Sequence, residues 1–379
     1  MSYEHSQARL AGAGRQSVAS ATRARVNLSR FATETYLSRA ILALALVSGA
    51  GLRLWHINQL GFNTDEAVYV GQAAAIAGEK SLVSFFPMFR AHPLLFQFIL
   101  ALGVPFVGLD SVDVFARLVA AAMGIITVII VYQTGATLYR PRTGAIAALF
   151  MALMPYHVIV TRQALLDGPM VLFATLTLFC MARFGATHRP AWLYAASASM
   201  GLTFLSKETA ILLVGGIYIY LAISPETRVR FRDLVVSTVV LGSIMIVYPL
   251  VPMLAGGGGG EKAGNYLVWQ LFRRPNHSWL FYALTVPQAI GLLLVTVAVA
   301  GIVWRRRQVT WREKLLISWI IVPCLFFELW PVKGFQYLLP IAPPLALLAA
   351  WAIDGRPAPA GDDLAPAPLR QRLALALYR

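Results

Sequence analysis

Residues 114–134 read VFARLVAAAMGIITVIIVYQT, with Arg117 as the single charge. An apolar stretch of about 20 residues is long enough to cross a bilayer as a helix. Working outward, comparable stretches lie at 39–57, 143–160, 168–183, 191–205, 209–223, 234–251, 279–304, 315–329 and 335–353. The expectation is an all-α polytopic membrane protein with about ten transmembrane helices. Composition agrees: 13% of the 379 residues are charged, against about 25% in soluble chains. The net charge of +15 sits among long apolar runs, which argues against a soluble nucleic-acid binder. A disordered chain, a disulfide scaffold and a coiled coil are excluded on the same grounds. Cys180 and Cys324 both lie inside apolar runs and read as inert thiols.

Residues 1–38 are rich in Arg, Ala and Ser without apolar periodicity, so a disordered cytoplasmic arm is expected. The first apolar run ends at Arg53-Leu54-Trp55-His56 without a small-residue cleavage site, and reads as a retained span. Residues 39–353 then form one transmembrane domain. Within it, 58–112 is the first outer loop, with interfacial helices, and 252–278 is a Gly-rich outer loop. Residues 354–379 are a short cytoplasmic tail. With the N-terminus inside, 22 of the 32 Lys and Arg fall on inner loops and 10 on outer ones. The acids split 8 and 9, leaving +14 inside and +1 outside, as the positive-inside rule requires. The expected location is the plasma membrane, in the cell envelope, with the site on the outer face.

The inner basic residues form loop clusters such as Arg305-Arg306-Arg307, which read as anchors touching anionic lipid. The outer ionisable residues are scattered beside apolar helix ends, where such groups are functional candidates. In Asn63-Thr64-Asp65-Glu66, Asn63 or Thr64 caps a helix running to about Gly78. Asp65 and Glu66 fall in its first turn, where the dipole favours carboxylates. They either stabilise the helix start or split roles, one facing a cavity and the other solvent or a cation. His92 before Pro93 either packs at the turn or meets a substrate. Arg162 and Asp167 flank another outer turn, where Asp167 is an N-cap or a site acid. Lys207 and Glu208 are adjacent opposite charges that would pair. Lys333 opens the last span, as a snorkelling cation or a phosphate ligand. Gly-rich nucleotide loops, Cys-x-x-Cys and His-Glu-x-x-His are absent.

These outer motifs, in this order, resemble the GT-C glycosyltransferases, with glycosyltransferase family 39 as the nearest match. That family holds the protein O-mannosyltransferases and the lipid A aminoarabinose transferase. The elements are Thr64-Asp65-Glu66-Ala67, His92-Pro93-Leu94-Leu95, Arg117-Leu118-Val119 through Gly135 to Tyr139-Arg140, Arg162 with Asp167, Lys207, and Gln336-Tyr337-Leu338-Leu339-Pro340. The resemblance implies that Asp65 is the catalytic acid residue and Asp167 the second acid of the site. It places His92, Lys207 and Lys333 near a lipid phosphate, with Arg162 a further candidate cation for that charge and Glu66 and Tyr337 candidate supporting residues. Gln336 stands where the family commonly has Arg, and Leu94 where it often has a second proline. The implied donor is a sugar on a polyprenyl phosphate, transferred with inversion to a lipid, glycan or protein acceptor at the outer face. Nothing in the sequence requires a metal, and Asp65 with Asp167 would hold a divalent cation if one binds. Membrane lipids are the other expected partners, and nucleic acid is not one. The competing readings are a transporter or lipid flippase, and an inactive scaffold of the same fold.

Overall fold

The computed structural model describes residues 34–59, 61–86, 92–254 and 272–354. The described residues are helical, with turns and short 3-10 segments and no strand among them. The first helix, Glu34–Leu54, begins inside the expected arm, and residues 1–33 and the tail from 355 lie outside the described set. Most of the Gly-rich outer loop lies outside it too.

Five described helices are long and apolar enough to cross a membrane: Glu34–Leu54, Leu109–Leu138, Asp167–Thr187, Phe231–Val251 and Phe335–Asp354. Two bent pairs raise that number to at most seven. The expected count of about ten is therefore not reached on length and apolarity. Pro190–Ser206 and Glu208–Ile223 occupy two expected places but are shorter. Trp311–Leu329 occupies a third and carries Arg312, Glu313 and Lys314 in its first turn.

The two bends correct the reading of 143–160 and 279–304 as straight spans. Pro141–Leu153 and Pro155–Thr161 meet at 60°, because Pro155 supplies no N–H and restricts Met154 to an extended backbone. Phe281–Ile290 and Leu292–Trp304 meet at 100°, through Gly291 at φ +109°, where a side chain would be strained.

The core sits where Asp167–Thr187 packs against Val112–Leu138 and Pro190–Ser206, with Ala342–Asp354 against Pro141–Leu153 and Leu292–Trp304. Small residues set the closest approach. A Cβ at Gly135 would lie 2.6 Å from Gly144 Cα, so these two helices meet backbone to backbone. Phe231–Val251 is almost unburied in the fold and shows Val235, Val239 and Ile246 outward, as a lipid-facing helix does.

Ionic groups gather at two ends. At one, Arg140 pairs with Glu34 and Asp354, and Arg305 caps the last helix through the Trp351 and Ala352 carbonyls. At the other lie Asp65, Glu66, Arg117, Asp167 and Lys207.

Candidate active site

Asn63 opens the helix Thr64–Ile76 with a capping box: its side chain accepts from the Glu66 amide, and Glu66 accepts from the Asn63 amide. The two neighbouring acids then part ways. Glu66 is 1% exposed and takes both prongs of Arg117, with Nε and a terminal nitrogen each at 2.8 Å. It also accepts from the Ala164 amide at 2.9 Å, and Arg117 reaches on to the Ile57 and Gly61 carbonyls. Burial pushes the Glu66 carboxyl up, but the Arg117 hydrogen bonds, the two amides and the Arg117 charge more than offset it. The group is held below the ordinary carboxylate value. Glu66 and Arg117 thus clasp three segments of this end, and Arg117, quoted among the motifs without a role, is the partner of the second acid.

Asp65 turns the other way and is exposed. It lines a groove of about 430 Å³ together with Asn63, Thr64, Gln163, Phe335 and Gln336 on its polar and aromatic sides. Ile159, Val160 and Leu165 complete the wall. Asn63 donates to Gln163 Oε1 at 2.6 Å, tying the two sides of the groove together.

Asp167 is not an N-cap. It is the first residue of its helix, which Leu166 precedes without a side-chain cap. Its carboxylate, 2% exposed, instead accepts from Lys207 Nζ at 2.8 and 2.9 Å. Lys207 is equally buried, and its ammonium stands 5.3 Å from the Tyr337 ring centre. Burial alone would lower the Lys207 ammonium, but the Asp167 charge and hydrogen bond, with Tyr337 and Glu208, hold it above its ordinary value. The expected pairing of Lys207 with its neighbour Glu208 does not occur. Glu208 accepts from His92 Nδ1 at 2.9 Å, and His92 packs edge-on to Tyr69. His92 and Asp65 both lie within electrostatic reach of Asp167, so Asp65, His92, Asp167 and Lys207 form one cluster.

All four expected phosphate ligands have protein partners, His92 and Lys207 those just described, Arg162 and Lys333 others. Arg162 donates to the Leu52, Trp55 and His56 carbonyls, capping the end of the first helix, where His56 turns the chain with φ +47°. A cation suits that helix terminus. Lys333 is 5% exposed and donates to the Glu328 carbonyl at 2.8 Å, with the Glu328 carboxylate at 3.2 Å. Trp279 and Tyr282 rings lie 5.4 and 5.1 Å from its ammonium. Asn276 fixes its backbone from both sides. Among the described residues, no group of three or more His, Cys, Asp and Glu is gathered to hold a metal ion.

With this geometry in view, the comparisons with known proteins bear on the fold. The family model described as dolichyl-phosphate-mannose-protein mannosyltransferase matches residues 91–253. ArnT from Cupriavidus metallidurans bound to undecaprenyl phosphate aligns with TM-score 0.69 at 17% identity, covering 91% of this chain and 63% of that one. The oligosaccharyltransferase of Archaeoglobus fulgidus in the apo form aligns with TM-score 0.59 at 15% identity, over 90% of this chain and 52% of that one. AglB from the same organism, in complex with an inhibitory peptide and a dolichol-phosphate, aligns with TM-score 0.57 at 13% identity, over 91% and 54%. The chain thus spans about half to three fifths of the length of these structures. No curated protein matches it. The fold is that of the GT-C glycosyltransferases, as the resemblance in the outer motifs implied.

Proposed function

We propose that this chain is a membrane glycosyltransferase that moves a sugar from a polyprenyl phosphate to a hydroxyl acceptor at the outer face. The observation that carries the reading is the pairing of an exposed Asp65 in a polar groove with the buried Asp167–Lys207 cluster beside it. The ArnT and AglB structures that share the fold hold undecaprenyl phosphate and dolichol-phosphate, which supports a donor of that chemistry.

The step follows from the charges. Asp65 takes the proton of the acceptor hydroxyl, which is general-base work that an ionised carboxylate performs at neutral pH. The freed oxygen pair forms a bond to the anomeric carbon from the face opposite the phosphate. The bond from that carbon to the phosphate oxygen breaks, its electrons leave with the polyprenyl phosphate, and the configuration inverts. Lys207 supplies the cation that meets the developing phosphate charge, by exchanging part of its contact with Asp167 for phosphate oxygens. His92 adjusts that balance through Glu208, and Lys333 supplies a second point charge where Phe335–Tyr337 begins.

The test is transfer of label from radiolabelled polyprenyl-phosphate sugars in membranes bearing the full chain. Asp65→Asn keeps the side-chain volume but removes the proton acceptor. Transfer should fall about 10²-fold or more, with donor binding retained. An Asp65→Asn chain that transfers at the natural rate would remove this mechanism, and no transfer from any polyprenyl-linked sugar would remove the enzyme.

A further inference from the structure

We infer that the Asp65 groove selects an uncharged carbohydrate acceptor, and that Gln163 and Gln336 are the residues that select it. This rests on the glycosyltransferase reading above and goes beyond it by naming the acceptor's chemistry. The polar wall is built from Asn63, Thr64, Gln163 and Gln336, which are neutral groups that both donate and accept hydrogen bonds. Such a set matches the vicinal hydroxyls of a sugar, each of which also does both. Phe335 lies in the same wall, held by the Tyr156 ring at 4.7 Å between centroids, and offers an aromatic surface to the apolar face of a sugar ring. The volume of about 430 Å³ is within the range of small-molecule sites, about 300–1,000 Å³.

Charge decides against an anionic acceptor. Asp65 is the one charged side chain among the described lining residues. A phosphorylated acceptor would bring close to two further negative charges beside it. The cations around the groove have other work. None of them lines the groove: Arg117 is paired with Glu66, Arg162 turns to the carbonyls of the first helix, and Lys207 stands on the Tyr337 side with Asp167. The groove therefore repels phosphate, while the phosphate of the donor has its cation on the far side of a single peptide unit. Gln336 faces the groove and the next residue, Tyr337, faces Lys207. A peptide, which the AglB structure of the same fold holds, is the competing occupant, and the experiment separates the two.

Saturation-transfer NMR of the full chain in nanodiscs, without donor, tests this with three probes. They are maltose, glucose 6-phosphate and a threonine-bearing tripeptide. Maltose should receive saturation and the other two should not. Gln336→Ala should weaken maltose about tenfold, the scale of one lost hydrogen bond, at unchanged melting temperature. Gln163→Ala should weaken it at least as much, because it also takes a partner from Asn63 and from the Ile159 carbonyl. Gln336→Arg should admit glucose 6-phosphate. Equal or better binding of the sugar phosphate or the tripeptide to the natural chain overturns the inference, as does maltose binding that ignores both glutamine variants, or its absence. The readout needs no donor, so a failure here is separable from a failure of transfer.

Discussion

At the scale of single residues, the site rests on two carboxylates in opposite situations. Asp65 is exposed and available for proton transfer, whereas Asp167 is buried and committed to Lys207. Breaking a buried ion pair by removing one partner costs about 3–5 kcal/mol, because the other charge is left uncompensated. Lys207→Met should therefore both unfold more easily and fail to transfer, and the single variant does not separate the two effects. The double variant Asp167→Asn with Lys207→Gln removes both charges at once. It should regain most of the lost melting temperature, by restoring a neutral hydrogen-bonded pair, and yet remain inactive. Transfer restored along with stability would show that Lys207 only holds the fold.

Much of this residue-scale detail was beyond the sequence, for a physical reason. Asp167 and Lys207 lie 40 positions apart, and His92 and Glu208 lie 116 apart. Sequence neighbours such as Lys207 and Glu208 look like partners, but consecutive residues at the start of a 3-10 turn project in different directions. The division between Asp65 and Glu66 was legible, because adjacent positions in a helical first turn cannot face the same way. What could not be read was which of the two would meet the cation, since Arg117 arrives from another helix. The place of Arg162 was hidden for the same reason, its acceptors being main-chain carbonyls with no sequence signature.

At the scale of elements, the first turn of Thr64–Ile76 holds Asp65 in place through the capping box and the Arg117 clasp. Glu66 is held below its ordinary value of 4.5, so the unfolded chain binds this proton more readily than the folded one. Its contribution to stability is complete above about pH 4.5 and is lost as pH falls through the lower folded value. Melting temperature in detergent should drop across that acid window, and Glu66→Gln should flatten the drop while lowering stability at neutral pH. An unchanged acid limb in the variant would assign the pH dependence to other carboxylates. The contact of Val112–Leu138 with Pro141–Leu153 sets a second element-scale expectation. A Cβ at Gly144 would overlap the Tyr132 carbonyl oxygen and the Ala136 nitrogen, and backbone cannot move aside as a side chain end can. Gly144→Ala should cost about 1–3 kcal/mol, the scale of an overpacked core, read as a lowered melting temperature. A neutral result would mean that the two helices separate at little cost.

At the scale of the whole molecule, the sorting of charge is the strongest link between sequence and architecture. The inner and outer sets deduced from loop positions predict which ionic groups should meet in space. Arg140 meets Glu34 and Asp354, all three assigned inside, and Lys314 meets Glu226, both inside as well. Arg117 with Glu66, Lys207 with Asp167, His92 with Glu208 and Lys333 with Glu328 join outer residues. No ion pair among the described residues joins the two sets. That separation supports the alternation of sides even though two expected spans are bent at Met154 and Gly291. The orientation itself rests on the positive-inside excess. It predicts that a cysteine at exposed position 80, in the first outer loop, reacts with a membrane-impermeant maleimide on intact cells. A cysteine at exposed position 306 should react only after the membrane is opened. Cys180, buried, and Cys324, half-buried, are replaced by alanine beforehand so that the signal belongs to the new residue. Labelling of position 306 from outside, with position 80 protected, would invert the molecule and put Asp65 on the cytoplasmic side. Nucleotide sugars are available there, so the argument for a polyprenyl-linked donor would fail together with the topology.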